Sequence, residues 1–244
     1  MPDGYYYQRK FFIFNTIFLI LALGLLLLLI FNCYFFSTRS LTGKQATALV
    51  EKKGVRWLDE LPSISQEVAA ALAKIDSPLS FDQMQTIRPE IARELAKSKN
   101  GLLLNGIKYL SPEAAKELSN CTGFLEINGI EDISIETAIE LAKTKTLLAL
   151  DGITIISPEV AVILASSECS LHLNGLNKLT PEIASAFSDN KTEIHLGGIT
   201  NLSLDVAKIL SKTKGFIFFG IRINLTHEAK QFLKSNGKII FPQN

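Results

Sequence analysis

The sequence predicts an α/β solenoid, with parallel strands on one face and short helices on the other, preceded by one transmembrane helix. Three observations carry that reading. Stepping by 23 residues from Ser111 lands on Ser65, Arg88, Ser134, Ser157, Thr180, Ser203 and Thr226, so seven of the eight anchors bear a hydroxyl. Six residues before the anchors stand Asp59, Asp82, Asn105, Asn128, Asp151, Asn174, Gly197 and Gly220, and seven after them an apolar column runs from Leu72 through Phe187 to Leu233. The third observation is an uncharged run from Phe11 to Phe36. A period held without drift over so many copies marks units that bury one another by stacking.

Taken in order, the chain divides into a tail over residues 1–10, a membrane span over 11–36, a linker over 37–44 and about eight 23-residue units with caps over 45–244. From Ile17 to Phe31 every residue except Ala22 and Gly24 is Leu, Ile or Phe. At about −0.3 to −0.6 kcal/mol each, these side chains supply roughly −4 to −8 kcal/mol toward insertion. As a helix the run reaches about 39 Å, enough to cross a hydrocarbon core of roughly 30 Å with some tilt. A cleaved secretory signal would close on a small-x-small site, whereas this run ends Cys33-Tyr34-Phe35-Phe36, so the expectation is an uncleaved anchor in the lipid bilayer. Arg9 and Lys10 before the span nearly balance Arg39 and Lys44 after it. A short tail ending in Arg-Lys resembles a signal anchor, which would leave the repeats outside the cytoplasm.

The whole chain carries a formal charge of +1. Without Asp3, Arg9 and Lys10 the remainder holds equal numbers of acidic and basic residues, so no net field steers a polyanion and nucleic acid is not an expected partner. Of the three cysteines, Cys33 lies in the apolar run. Cys121 and Cys169 fall about two repeats apart, where parallel strands alone separate them by roughly 10 Å, past the reach of a disulfide. Free thiols are expected, and no CxxC or Cys/His cluster points to structural zinc.

Within one unit, Leu102 and Leu104 face one way and Leu103 the other, as in a short strand. The first column continues as Leu79, Leu125, Leu148, Leu171 and Ile194, and the second as Leu58, Phe81, Ile127, Leu150, Leu173 and Leu196, which makes both core. Gly106, Gly129, Gly152, Gly175 and Gly198 follow Asn or Asp, a pairing expected of a turn that needs positive φ. Ile107 and Leu110 start further apolar columns that pin the connection inward. Ser111-Pro112-Glu113 supplies an N-cap hydroxyl, a first-turn proline and an acid at the positive helix end, and it recurs as Ser157-Pro158-Glu159 and Thr180-Pro181-Glu182. Ala115, Leu118 and Ser119 are the expected buried stripe of a helix of about ten residues. The Ala column from Ala69 to Ala207 leaves room for close helix–strand packing.

The unit L-x-L-N-G-I-x-x-L-S-P-E-x-A-x-x-L resembles bacterial proteins of the leucine-rich-repeat type, over Val55 to about Phe241. The resemblance implies a right-handed coil with a binding or scaffolding role and brings no catalytic residue with it. One slot departs from the common pattern, since Ile107 stands where an Asn is usual. That departure argues against the usual asparagine ladder and leaves Asn105 and its equivalents as candidates for a related role.

At the ends, Gln45 to Gly54 reads as the helix half of an incomplete first unit. Near the other end Arg222 stands where an aliphatic residue is due, so Phe216 to Ile221 fits two registers that differ by one residue. Lys230 and Lys234 replace small buried residues, as a capping unit requires, and Ile239 to Phe241 reads as a last strand. The apolar groups near Phe216 to Phe219 and Phe241 serve either as end-packing or as a contact for self-association.

Candidate chemistry is sparse. The outward strand column reads Trp57, Ser80, Leu103, Glu126, Ala149, His172 and His195, and the two histidines fall on adjacent strands about 4.8 Å apart. A metal held there needs three or four convergent ligands, and Ala149 interrupts the column, so solvated imidazoles are the expectation and a metal at His172 and His195 is the alternative. His227 follows a cap and reads as a surface residue. The repeated hydroxyls occupy cap positions with no His and acid at motif spacing, and no phosphate-cradling Gly loop or HExxH occurs, so no enzyme and no cofactor are expected. The functional expectation is a membrane-anchored, non-enzymatic scaffold whose strand face (Trp57, Ser80, Leu103, Glu126, His172, His195) meets a protein or an envelope polymer. The other alternative is a passive spacer.

Overall fold

The computed structural model describes residues 41–242, so the tail over 1–10, the span over 11–36 and the first half of the linker, 37–40, lie outside the described residues. Among the described residues no helix is long and apolar enough to cross a membrane.

The array opens with α1 (Gly43–Lys53), two residues earlier than the sequence implies, because Thr42 and Gln45 close a capping box on its first turn. Ala46 and Val50 bury its inner side, so this helix covers the first complete unit as expected of a cap. A 3₁₀ turn (Val55–Glu60) follows. Leu58 is fully buried as the column requires, yet this segment is not a strand, and the sheet begins one unit later than the period predicts. Seven further helices then alternate with strands: α2 (Gln66–Leu72), β1 (Leu79–Ser80), α3 (Pro89–Leu95), β2 (Leu102–Leu103), α4 (Pro112–Leu118), β3 (Leu125–Glu126), α5 (Ile135–Leu141), β4 (Leu147–Ala149), α6 (Pro158–Ala165), β5 (Ser170–His172), α7 (Pro181–Asp189), β6 (Glu193–Leu196), α8 (Leu204–Leu210) and β7 (Phe216–Phe219). The last pair is α9 (His227–Lys234) and β8 (Ile239–Ile240).

All eight strands lie in one parallel sheet in chain order. Partners from β1 to β7 sit 23 residues apart, for example Leu102 with Leu125, and Ile194 with Ile217. The inward columns are sealed, with Leu79, Leu102, Leu125, Leu148, Leu171 and Ile194 at 0% exposure. At β7 the unslipped register holds: Ile217 and Phe219 point inward, while Ile221 is left 79% exposed and Arg222 is exposed. The slip of one residue comes later, where Ile217 pairs with Ile239. Phe219 stacks on Phe241 with ring centroids 5.8 Å apart, so these two rings pack together at the end of the array, while Phe216 stays 43% exposed.

Every hydroxyl anchor caps its helix. Ser111 Oγ accepts from the Ala114 N–H at 3.2 Å, and Ser65, Ser134, Ser157, Thr180, Ser203 and Thr226 do the same three residues on. Arg88 is the exception and offers no side-chain cap. Glu113, Glu136, Glu159 and Glu182, each two residues after a cap, are held below the usual carboxylate range, at Glu113 by its own backbone N–H and then by the Ser111 hydroxyl. The helices are shorter than expected, mostly seven residues, because each must return the chain within one period. With so few turns the buried stripe shifts. Ala114, Ala115 and Leu118 are buried, while Ser119 is half-buried at the helix end and donates its hydroxyl to the Lys116 carbonyl.

Two columns act differently from their sequence reading. Gly106, Gly129, Gly152, Gly175 and Gly198 do not adopt positive φ, which among the described residues belongs only to Gly54 and Gly101. They are glycines because units touch there: a Cβ on Gly129 would lie 2.2 Å from the Asn105 carbonyl oxygen and 2.5 Å from that of Ile107. The Asn and Asp residues before them do form a ladder. The backbone N–H of Asn128 donates to Asn105 Oδ1 (3.1 Å), that of Asp151 to Asn128 Oδ1 (2.9 Å), that of Asn174 to Asp151 Oδ1 (2.8 Å) and that of Gly197 to Asn174 Oδ1 (2.8 Å). Each rung satisfies an N–H that the short strand leaves unpaired. The departure at Ile107 therefore moves the ladder two residues toward the strand rather than removing it, and Ile107 joins the core at 0% exposure.

A further column escaped the sequence reading. Ser98, Thr144, Ser167, Asn190 and Thr213 are buried at the same step of 23, with Cys121 in the same file. Asn190 Nδ2 donates to the Ala165 carbonyl at 2.9 Å and its Oδ1 accepts from the Thr192 N–H at 2.8 Å, tying one unit to the previous one. Among the described residues, Ser98 Oγ and Thr144 Oγ1 have no hydrogen-bond partner. Cys121 and Cys169 are both buried and unpaired, and burial pushes both thiols up.

Candidate interaction face on the parallel sheet

With the inward columns closed, the side chains at alternate strand positions form the outer face of the sheet. Ser80, Leu103, Glu126, His172 and His195 all stand there, each half-buried between its neighbours, as the column predicts. Ala149 in the same file is buried, only 3% exposed. The backbone of Trp57 lies in the 3₁₀ turn before the sheet starts rather than on a strand. His227 opens α9 and its ring lies 3.1 Å from the Gln231 amide nitrogen, away from the strands.

The two histidines meet as the spacing implies. Their ring centroids are 4.1 Å apart with the planes tilted by 39°, and the His195 ring continues onto Phe218 at 4.4 Å and 5°, nearly parallel. Stacking is thus the geometry the strand spacing enforces, and the register places His195 directly beside Phe218. The His172 imidazole is held below its usual pKa, first by burial and then by the neighbouring His195, against an upward pull from Asp151 and Glu193. Two strands away, Glu126 is pushed above the usual carboxylate range by burial and then by Asp151.

A second outward row lies two residues earlier on each strand: Leu147, Ser170, Glu193 and Phe216. The period-2 rule applied to His172 and His195 finds it, but strands as short as the one at Leu102 showed only a single outward residue. Ser170 Oγ donates to Glu193 Oε2 at 3.4 Å, and the same oxygen lies 3.9 Å from His195 Nε2, too far for a hydrogen bond. Phe216, the strand partner of Glu193, is 43% exposed. Glu193 at its edge gives the histidine pair one nearby carboxylate. Among the described residues no group of three or more His, Cys, Asp or Glu is arranged to hold a metal ion.

Eight parallel strands, one helix per period and side-chain ladders between successive units define a leucine-rich-repeat-like solenoid. A solved leucine-rich-repeat protein of Leptospira interrogans matches at 12% identity over 76% of this chain and 82% of that one, with a TM-score of 0.21. A superposition that loose adds no weight, and the class rests on this chain's own register and repeats. No protein-family model and no curated protein matches the chain.

Proposed function

We propose that the chain is a membrane-anchored, non-enzymatic scaffold whose sheet face receives a protein or envelope-polymer partner. The observation that carries this is the contrast between the two sides of the sheet. Inward residues are sealed, whereas outward ones keep partly exposed aromatic, imidazole and carboxylate groups, with Phe216 43% exposed and the Glu193 side chain 50% exposed. Exposed rings beside carboxylates are a composition that favours contact with a partner. The anchor is residues 11–36, on the strength of an uncharged stretch whose centre from Ile17 to Phe31 is wholly apolar, with the repeats held outside the cytoplasm.

Two measurements test the reading. Binding partners are captured with the full chain and with a variant changed together at Ser80, Leu103, Glu126, His172 and His195. Enrichment that survives all five changes overturns the face. For the anchor, the protein stays with membranes through alkaline carbonate extraction and its repeats are cut by protease in intact cells, and release by salt alone overturns it.

A further inference from the structure

The outward positions of β1 to β8 hold two carboxylates, Glu126 and Glu193, two imidazoles, and no lysine or arginine. Yet acids and bases are nearly balanced over the chain. Basic side chains of the units instead pair beside the helices, as Arg93 and Lys97 do at α3 and Lys143 at α5. Lys238, beside Phe216 in the β7–β8 register, gives its ammonium to the Lys214 carbonyl at the far edge, so across β3 to β6 the ionisable groups of the face are carboxylates and imidazoles, and its fixed charge there is negative.

One of those carboxylates lies beside the middle ring of a stack, with Glu193 Oε2 3.9 Å from His195 Nε2. His172, His195 and Phe218 form a continuous stack at 4.1 and 4.4 Å, and Glu193 lies at its edge with Phe216 as its strand neighbour. Glu193 is half exposed, and its contacts among the described residues are the Ser170 hydroxyl and the His195 ring, neither of which neutralises it while His195 is uncharged. A flat cation suits this arrangement. A guanidinium stacks on a ring face and gives its edge N–H groups to a carboxylate at once, whereas a sugar or an anion meets an unneutralised acid.

We propose that Glu193, Phe216, Phe218 and the His172–His195 pair form a receptor site for an arginine side chain of a protein partner, open at neutral pH and closed by protonation of the imidazoles. This rests on the proposed role of the sheet face and narrows the partner to a protein presenting a cation. Gating follows from the geometry. The charged groups facing the imidazoles are Asp151 from the turn after β4 and Glu193 on β6, with Glu126 two strands away. Gaining a proton at either ring cancels the negative charge that attracts the guanidinium. Rings 4.1 Å apart resist holding two charges, so the first proton decides.

The test uses the full chain in mild detergent and a fluorescent Gly-Ser peptide carrying two arginines, with citrulline at the same positions as the neutral isostere. Fluorescence anisotropy at pH 7.5 is expected to show the arginine peptide binding at least ten-fold more tightly than the citrulline peptide. Glu193→Gln is expected to weaken arginine binding about ten-fold, while Glu131→Gln, a charge-matched change on a loop, leaves it unaltered. Lowering the pH to 5.5 is expected to weaken binding at least five-fold, and a His172→Gln, His195→Gln double variant loses that dependence. Equal binding of the two peptides, an unaffected Glu193→Gln variant, or a pH response that survives the double variant overturns the site. A parallel arm with soluble neutral glycan fragments separates the two readings. Glycan binding lost in Phe218→Leu, with no preference for arginine, overturns the cation site but keeps the interaction face. Partner capture that persists in the five-residue variant, with neither probe bound, overturns both.

Discussion

Replacing Gly152 with alanine tests what holds the units together. The added Cβ would lie 2.2 Å from the Asn128 carbonyl oxygen and 2.5 Å from that of Ile130, where contacts under 3.0 Å are not tolerated. Both atoms are backbone, so no side-chain rotation relieves the clash, and the units must part locally by about 0.8 Å. Two hydrogen bonds bridge this junction at 2.9 Å, from the Ile127 N–H to the Ala149 carbonyl and from the Asp151 N–H to Asn128 Oδ1. Opening stretches both beyond useful range, and losing two such bonds in a sealed interior costs about 3 kcal/mol. For an array of this size that lowers Tm by roughly 6–12 °C. The comparison is Gly237→Ala, where the new Cβ meets nothing within 4 Å and φ is not positive. There a small gain of about 0.4–1 kcal/mol is expected from the stiffer unfolded chain. Thermal unfolding of the full chain in mild detergent, followed by circular dichroism, reads both. If Gly152→Ala melts within 2 °C of the parent, close approach of the units is not what requires glycine.

Three other outcomes follow from the same geometry. Arg88→Ser supplies the missing cap of α3 and gives up only the exposed Arg88–Glu90 ion pair, so Tm is expected to rise by about 1–4 °C, and a fall refutes the cap assignment. Because burial and His195 hold the His172 pKa below its unfolded value of about 6.5, the fold prefers the neutral ring. That contribution is complete above pH ~6.5 and is lost as the pH falls from there toward the folded pKa, so the urea midpoint of the parent drops more between pH 7.5 and 5.5 than that of His172→Gln. With thiols raised by burial, Cys121 and Cys169 are expected to resist alkylation at pH 8 in the folded chain and to react fully in guanidinium, as read by peptide mass mapping.

The 23-residue step carried most of the architecture, because each unit solves the same packing problem with its neighbour. The anchors became caps and the Leu columns became core, since both depend on local spacing along the chain. Spacing did not distinguish a glycine needed for its own backbone angle from one needed by the next unit, which is why the column at Gly106 was misread. The first strand failed for a related reason. Leu58 satisfies its column in a 3₁₀ turn, and the backbone of Trp57 lies in the same turn rather than on a strand.

What the residues determine by themselves, then, is the period, the inward columns, the caps and the adjacency of His172 to His195, all of which follow from repeats of fixed length. Only the assembled sheet decides that the Asn and Asp side chains reach across to the next unit's backbone, and that the imidazoles stack onto Phe218 with Glu193 at their edge. Apart from Glu193 beside His195 on the same strand, those contacts join residues a whole unit apart, and their form is set by the separation between strands and the direction of each side chain, quantities that exist only once neighbouring units have packed.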